Sequence, residues 1–290
     1  MEHSKYVAIS LECGKCSRGW SIKNEDFQKA IIKCENPECD NEFTVYEGMK
    51  NGLKSKDHIV PKTFLANDIF KQMINLKLGY SVYVNLPETI KKVYTVNLFP
   101  FTEGSYLVGT TQLEKNGFII MSSLNDETEI ESIGKEIQIL AMVHAKTDDY
   151  EEPWLHLLSY ALEQYNSEDY MTSVLLSQIS LEAYVDTTLT KGYKEIGLDD
   201  DSISRFIEAT HMPVKVNSLM SNLFGTKLAT MKNYNDWEKK VLKMRNLIAH
   251  GKKTVVTEAE AKMAYDTVVD SIFHLIEGVD NHYKRKLSEA

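Results

Sequence analysis

Hydrophobic and polar positions follow different periods along the chain. Between residues 80 and 146, apolar side chains recur at every second position, as at Val82, Val84 and Leu86, which predicts strands with one buried face. From residue 154 onward they recur at every third or fourth position, which predicts amphipathic helices. The pattern therefore indicates a β-rich region followed by a helical region.

The β-rich region contains several segments typical of strands. They read "YSVYVNL", "KVYTVNLF", "SYLVGTTQLEKNGFIIMSS" and "KEIQILAMVHAK". Within the third, Asn116-Gly117 is a strong hairpin signal. The fourth carries alternating apolar residues from Ile137 to Val143 (with Ile139 and Ala141 between them), and we interpret it as a strand, with a helix as the alternative. We expect 80–146 to form a small antiparallel β-domain that serves as a scaffold or recognises a partner.

Two further elements precede this region. The segment "NGLKSKDHIVPK", residues 51–62, is typical of a linker. After it, Thr63 to Leu78 carries apolar residues at roughly helical spacing, among them Phe64, Ile69 and Met73. We therefore expect a helix over 63–78.

The helical region begins after an acidic break at 147–153. "WLHLLSYALEQYN" and "SEDYMTSVLLSQISLEAYVDTTLTKG" predict two helices joined by a short polar turn. Ser167 is the expected N-cap of the second helix and Gly192 its expected stop. A third helix is predicted over "SISRFIEATH".

Two more helices follow toward the C-terminus. "NDWEKKVLKMRNLIAHG" predicts the fourth, with Asn235 or Asp236 as its cap and Gly251 as its stop. "TEAEAKMAYDTVVDSIFHLIEGVDNHYKRK" predicts a long fifth helix that opens on a capping box made by Thr257 and Glu260. We expect this half of the chain to be an all-α bundle.

All four cysteines of the chain lie between positions 13 and 39. The spacing is Cys13-x2-Cys16, then 17 residues, then Cys34-x4-Cys39, close to that of a zinc ribbon. Four thiolates close a tetrahedral zinc site with no open position, so the expected role is structural, with one Zn²⁺ per chain. The x4 spacing of the second pair departs from the commoner x2, and unligated or redox-active cysteines are the alternative.

Composition narrows the classes of function. The 290 residues carry a formal net charge of −9, which argues against broad nonspecific binding of nucleic acid but not against a local basic site. No apolar run approaches the roughly 18 residues that a membrane helix needs, and the first residues lack the layout of a secretory signal. We expect a cytoplasmic protein that does not contact a membrane.

The predicted fourth helix has two distinct faces. Trp237, Val241, Met244 and Ile248 form an apolar stripe, and the opposite stripe comprises Lys239, Lys243, Asn246 and His250. Arg245 lies between the two stripes, about 140° from His250 on an ideal helix. Arg245 and His250 can meet only if the last turn distorts, or if a second copy of the helix completes the site across a two-fold axis.

This segment resembles a known family. Arg-Asn-x-x-Ala-His-Gly on the fourth helix is similar to the Arg-x(4–6)-His signature of the HEPN superfamily, and the first two predicted helices are similar to those of the same fold. The resemblance covers about residues 150–285. It implies a metal-independent endoribonuclease that works as a dimer, of a kind found in antiviral and toxin–antitoxin systems. Other members only bind nucleotides or partners, usually with a degraded motif.

The resemblance gives each residue of the motif a role. His250 would act as general base or acid, and Arg245 would hold the phosphate oxygens, for which its planar fork is suited. Asn246 could orient the imidazole or a phosphate. Glu182 falls where the family often has a glutamate, but a solvated position explains it equally, so it is not among the candidates. The expected RNA contacts are Lys239, Lys243, Lys252 and Lys253.

The sequence thus predicts a multidomain α+β protein. Its expected parts are a zinc ribbon at 1–50, a β-rich middle domain with a preceding helix at 51–147, and a HEPN bundle at 148–290. The expected function is cleavage of RNA by a homodimer that uses no catalytic cofactor, and a regulatory protein is a candidate partner. A non-catalytic HEPN adaptor that binds nucleic acid, nucleotide or protein is the alternative.

Overall fold

A computed structural model describes residues 10–21, 26, 29–55, 65–101, 106–114, 117–124, 133–148 and 152–289. The protein is mixed α and β, with small antiparallel sheets in its first half and a helical region at its C-terminal end. Asn116 of the expected hairpin lies outside the described residues. No helix in the described part is both long enough and apolar enough to cross a lipid bilayer.

The first half contains ten described strands and one helix. They are β1 (Ser10–Glu12), β2 (Gly19–Ser21), β3 (Ile32–Lys33), β4 (Glu42–Phe43), α1 (Val45–Lys54), β5 (Asp68–Lys77), β6 (Ser81–Asn85), β7 (Lys92–Pro100), β8 (Tyr106–Glu114), β9 (Gly117–Leu124) and β10 (Glu136–Lys146). β1 pairs with β2, and β3 with β4, both antiparallel. The remaining strands form two antiparallel sheets, in the orders β5-β10-β7 and β6-β9-β8.

The alternating pattern of β10 is confirmed. Ile137, Ile139, Ala141 and Val143 are all buried, and they form one core with residues of both three-stranded sheets, such as Phe118. Their neighbours on the other face of β10 are more exposed. The segment is therefore a strand because its two faces meet different environments.

The helix expected over 63–78 is wrong. The segment 68–77 is strand β5, which pairs with β10 over ten residues from Asp68↔Ala145 to Lys77↔Glu136. Ile74 and Leu76 are buried on alternate positions, whereas Met73, which fitted the helical spacing, is exposed on the outer face. The segment is a strand because it pairs with β10, although its apolar residues are spaced roughly as in a helix.

The second half is helical. Its elements are α2 (Pro153–Asn166), α3 (Tyr170–Glu195), α4 (Asp200–Ala209), α5 (Met212–Val214), a π-helix (Lys215–Leu219), α6 (Met220–Phe224), a 3-10 helix (Leu228–Thr230), α7 (Tyr234–Asp236), a second π-helix (Trp237–Leu242), α8 (Lys243–Ala249) and α9 (Glu258–Glu289). The second π-helix joins α7 and α8 without a break, so the expected fourth helix spans all three. The segment from Met212 to Phe224 was not expected.

Several helix ends differ from those predicted from the sequence. Asp169, not Ser167, caps α3 by accepting a hydrogen bond from the Thr172 N–H, because Ser167 still closes the end of α2. Gly192 does not stop α3: it lies inside the helix, where an added Cβ would come within 2.5 Å of the Phe224 ring. A glycine there permits close helix packing rather than a turn.

The start of the fourth helix also differs from expectation. Neither Asn235 nor Asp236 caps it, because α7 begins at Tyr234 and Asn233 precedes it without a side-chain cap bond. The expected capping box of α9 is confirmed, since the Glu260 N–H donates to Thr257 Oγ1 and Glu260 Oε2 accepts from the Thr257 N–H.

Helix α1 fixes the cysteine-bearing segment to the helical region. Residues 51–54, expected in a linker, form its last turn. Val45, Met49 and Leu53 share one core with the C-terminal helices. The Tyr265 hydroxyl of α9 donates to the Leu53 carbonyl at 3.1 Å, and Lys54 Nζ lies 2.6 Å from Asp270 Oδ1. The division into three domains stays a prediction, but these contacts orient the N-terminal segment on α9.

Candidate functional site

The four cysteines come together at the ends of the N-terminal strands. Cys13 directly follows β1 and Cys34 directly follows β3, while Cys16 and Cys39 lie in the turns before β2 and β4. The Cys13 and Cys39 sulfurs are 3.7 Å apart and those of Cys16 and Cys34 are 3.5 Å apart. All four lie within 4.8 Å of one another. Within the described residues they form the only such group of possible metal ligands.

These distances suit a tetrahedral metal site. Zn–S bonds of about 2.3 Å place the sulfurs of a tetrahedron about 3.8 Å apart, and bonded disulfide sulfurs would lie at about 2.05 Å. All four cysteines are free thiols. The geometry is compatible with a closed, structural metal centre, and the four sulfurs would occupy every position of a four-coordinate ion.

Burial and hydrogen bonds shift the pKa values of the cysteine thiols in different directions. Burial opposes ionisation of Cys13, but N–H groups of Lys15 and Cys16 and the Asn41 amide outweigh it and lower its pKa to about 6. Burial raises the pKa of the Cys34 thiol to about 12. A coordinated cation removes such a proton outright, because a metal-bound thiol ionises. A bound cation would therefore displace the proton of Cys34.

The second candidate site lies on α8. Its buried stripe is confirmed, since Trp237, Val241, Met244 and Ile248 all face the core. The helix ends at Gly251, whose φ is +66°, and the N–H groups of Gly251 and Lys252 bond back to the carbonyls of Ile248 and Leu247. Gly251 is therefore the expected stop, in a left-handed conformation that costs glycine nothing.

Arg245 is held in place by side chains on both sides. Its Nη2 lies 3.4 Å from Glu182 Oε2, in an ion pair whose side chains are 31% and 27% exposed. Its Nη1 donates to Asn246 Oδ1 at 3.2 Å. Asn246 thus orients the arginine in this structure, whereas the sequence suggested that it could orient the imidazole or a phosphate. The guanidinium is half-buried and fixed by two acceptors.

The Glu182 carboxylate belongs to a longer hydrogen-bonded chain. Its Oε1 accepts from Gln178 Nε2 at 3.1 Å, and Gln178 Oε1 accepts from the buried Trp237 indole N–H at 3.1 Å. These hydrogen bonds connect Trp237, in the core stripe of the fourth helix, to Arg245 at the surface. Glu182 was not among the candidate residues predicted from the sequence. The one indication of a role was its position in the second helix, where the HEPN family often has a glutamate.

His250 is placed apart from Arg245. It follows the last residue of α8, its backbone N–H still bonds the Asn246 carbonyl at 3.1 Å, and its side chain is exposed. Both side chains are described, and no hydrogen bond joins them. The helical bonding continues to His250, so the last turn does not bring the imidazole round to the guanidinium.

The four candidate lysines differ in their partners. Lys253 Nζ is 2.9 Å from Glu260 Oε1, so its charge is neutralised locally. Lys239, Lys243 and Lys252 are exposed, and no ion pair to another described residue is found for them. Three of the four expected lysines therefore carry positive charge without an ion pair to a described residue, and they are spread from the start of the fourth helix to the loop after it.

An apolar strip lies beside the ion pair on α3. Met171, Leu175 and Ile179 repeat every four residues and fall within about 60° of Glu182 around the helix. Met171 and Ile179 are 38% and 37% exposed. Partly exposed apolar side chains at helical spacing are typical of a surface that packs against another helix.

Comparison with known proteins identifies no relative. No protein-family model matches this chain, and no curated protein or solved structure is similar to it. The residues of the two sites are therefore the only guide to function.

Proposed function

We propose that the protein is a metal-independent endoribonuclease of the HEPN type. The observation that carries the proposal is the anchored Arg245, five residues before an exposed histidine and a glycine stop on the same helix. An arginine whose fork is fixed by Glu182 and Asn246 is organised before an anionic ligand arrives. An exposed imidazole is accessible to a bound substrate.

The proposed reaction uses only groups of the RNA and of these side chains. The ribose 2′-oxygen attacks the adjacent phosphorus, a new P–O2′ bond forms, and the P–O5′ bond breaks. As general base, His250 takes the 2′-hydroxyl proton while water protonates the departing 5′-oxygen. As general acid, it donates a proton to that oxygen while water takes up the 2′-hydroxyl proton. Arg245 stabilises the charge that develops on the non-bridging oxygens. The products are a 2′,3′-cyclic phosphate and a 5′-hydroxyl end.

A homodimer would complete this site. Because Arg245 and His250 lie about 140° apart around the helix, one chain presents them in different directions. A two-fold axis near α8 would place the Arg245 of one copy beside the His250 of the other. The strip of Met171, Leu175 and Ile179 next to Glu182 offers apolar surface for such an interface. Light scattering that finds active monomers would contradict this arrangement.

The cysteine cluster would hold one zinc ion with a structural role. Its four sulfurs leave no open position for substrate, so zinc would stabilise the N-terminal segment on α1 and take no part in cleavage. A zinc ribbon fixed to α9 would then serve as a rigid platform, and RNA or a regulatory protein are the partners we propose for it.

The test is cleavage of mixed RNA by the purified full-length protein. Arg245→Ala and His250→Ala should each abolish cleavage, while helix content is unchanged, because neither side chain belongs to the core stripe. Arg205→Ala and His211→Ala are matched controls, since both residues are exposed elsewhere in the helical region. Cleavage should continue when chelator removes free Mg²⁺, and DNA, which lacks the 2′-oxygen, should stay intact.

Two other outcomes would contradict the proposed function. If His250→Ala cleaves RNA as fast as the unaltered protein, the site is not at the end of α8. If no RNA is cut by any variant, the adaptor function is favoured instead. One observation supports that alternative: the row Met73–Leu140–Phe99 crosses the outer face of one sheet, with Met73 and Phe99 exposed. An exposed apolar row of this kind is typical of a surface that binds another protein.

A further inference from the structure

A cavity of about 180 Å³ opens in the helical region, far along α9 from the end of α8. Its walls come from α2, α3, α6 and α9. The side chains that matter are Trp154, Tyr184, Phe224 and Tyr283, with the carboxylates of Glu152 and Asp280. The cavity shares no residue with the Arg245 site or with the cysteine cluster, so neither site accounts for it.

Four aromatic side chains line the cavity. The Trp154 and Tyr184 rings meet edge to face with centroids 5.8 Å apart, and Phe224 and Tyr283 lie tilted at 6.2 Å. Trp154 and Tyr184 are buried against the core, which fixes their orientation. Ring faces held around a small space attract a cation through the ring quadrupole, more strongly when water is excluded.

Asp280 supplies a buried negative charge at this cavity. It is only 8% exposed, and among the described residues no cationic side chain forms an ion pair with it. It accepts a hydrogen bond from the Tyr46 hydroxyl of α1. A buried carboxylate usually has a cationic or metal partner, because removing its charge from water is costly.

The contact with Tyr46 does not explain why this residue is charged. An asparagine could accept the same hydrogen bond without a buried charge. Packing of α1 against α9 therefore does not require a negative charge at residue 280. Among the other charged lining residues, Glu152 accepts a hydrogen bond from the Trp154 indole N–H at 3.2 Å, and Glu152 and Lys191 both have further partners. Asp280 is therefore the carboxylate of the lining for which the described residues supply no cation.

We propose that this cavity binds a small organic monocation, with an ammonium or guanidinium group beside Asp280 and a compact apolar body against the rings. One positive charge matches the single buried carboxylate of Asp280, and the aromatic lining favours an organic cation over a metal ion, which would require more oxygen ligands. The proposal does not depend on ribonuclease activity. Its ligand would act at the junction between α1 and α9, because Asp280 also holds Tyr46.

The probes are choline and methylguanidinium, measured by calorimetry with the full-length protein. Either cation should bind saturably at millimolar concentration or below. Its neutral counterpart, 3,3-dimethylbutan-1-ol in place of choline, should bind at least tenfold more weakly, because it lacks the charge. Guanosine is included as an uncharged ligand that could also stack on the rings and donate hydrogen bonds to a carboxylate.

Asp280→Asn is the decisive variant. It keeps a hydrogen-bond acceptor for Tyr46 and removes a buried charge, so the protein should fold, and binding of the cation should weaken at least tenfold. Asp266→Asn is the matched control, since this residue lies on the same helix but pairs with Lys262 outside the cavity. Its affinity for the cation should equal that of the unaltered protein.

Four results would overturn the proposal. The first is the absence of saturable binding by either cation, and the second is binding to Asp280→Asn as tight as to the unaltered protein. A third would be equal binding of the neutral alcohol, which would make the cavity merely apolar. Binding of guanosine without binding of either cation would also overturn it, in favour of a nucleobase site. A loss confined to Asp280→Asn, with Asp266→Asn unchanged, would support it.

Discussion

The ion pair between Glu182 and Arg245 can be tested by a double-mutant cycle. Glu182→Gln keeps the shape of the side chain and removes its charge, and Arg245→Met keeps the aliphatic part of the arginine. If the pair anchors the guanidinium as its geometry indicates, each single change should destabilise the helical region. The double variant should then be more stable than the sum of the two single effects implies.

The expected coupling follows from the distance and the exposure of the pair. At 3.4 Å, two unit charges attract by about 5 kcal/mol at an effective dielectric constant of about 20. Both side chains are close to one-third exposed, so water screens them and much of that energy offsets desolvation. Measured exposed pairs contribute about 0.2–1 kcal/mol. We expect a coupling free energy near the upper end, about 1 kcal/mol.

The assay is urea unfolding of the four proteins, followed by far-ultraviolet circular dichroism. The coupling should shrink in about 1 M salt, where the screening length falls to about 3 Å. Glu208→Gln with Arg245→Met is the control cycle, because Glu208 lies on α4 and bonds Ser204 instead; its coupling should be near zero. A Glu182–Arg245 coupling equal to that of the control would refute the anchoring of Arg245.

Three further predictions concern other parts of the chain. Cys34→Ser should lower the metal content of the purified protein below one ion per chain by elemental analysis, and unchanged content would exclude the four-sulfur site. Tyr46→Phe leaves the buried Asp280 without its hydroxyl donor, so the free energy of unfolding should fall by about 2 kcal/mol in urea; no loss would show that water replaces the hydroxyl. Burial lowers the pKa of His144 below its ordinary 6.5, so the unfolded chain binds the proton more readily and stability should fall as the pH drops through about 6.5. His144→Gln should reduce that fall, and an identical pH profile would assign it to other groups.

Local patterns in the sequence identified the elements whose two faces differ strongly. Ile137 and Val143 predicted β10 because one face of that strand is core and the other is more open. Thr257 and Glu260 predicted the start of α9 because a capping box is formed by neighbours in sequence. β5 was missed because its conformation depends on β10, nearly seventy residues away. The spacing of the apolar residues near Met73 does not indicate that this segment pairs with β10.

The candidate site shows the same limit. The sequence indicated which face of the fourth helix is buried and where the helix stops, since both depend on residues a turn apart. It could not indicate that Glu182 reaches Arg245 from another helix, or that Lys253 is neutralised by Glu260. Such pairs depend on how helices pack, and packing is set by many side chains together rather than by a spacing.

Helix α9 connects the two proposed sites to the N-terminal segment. Its first turn holds the loop after α8 through the Lys253–Glu260 ion pair. The same turn binds α2, because the Tyr165 hydroxyl donates a hydrogen bond to Glu258 at 2.8 Å. Farther along, Asp270 and Asp280 hold α1. A helix of 32 residues is about 48 Å long and stiff. The cysteine-bearing segment, the lining of the aromatic cavity and the loop after α8 therefore all contact one long helix.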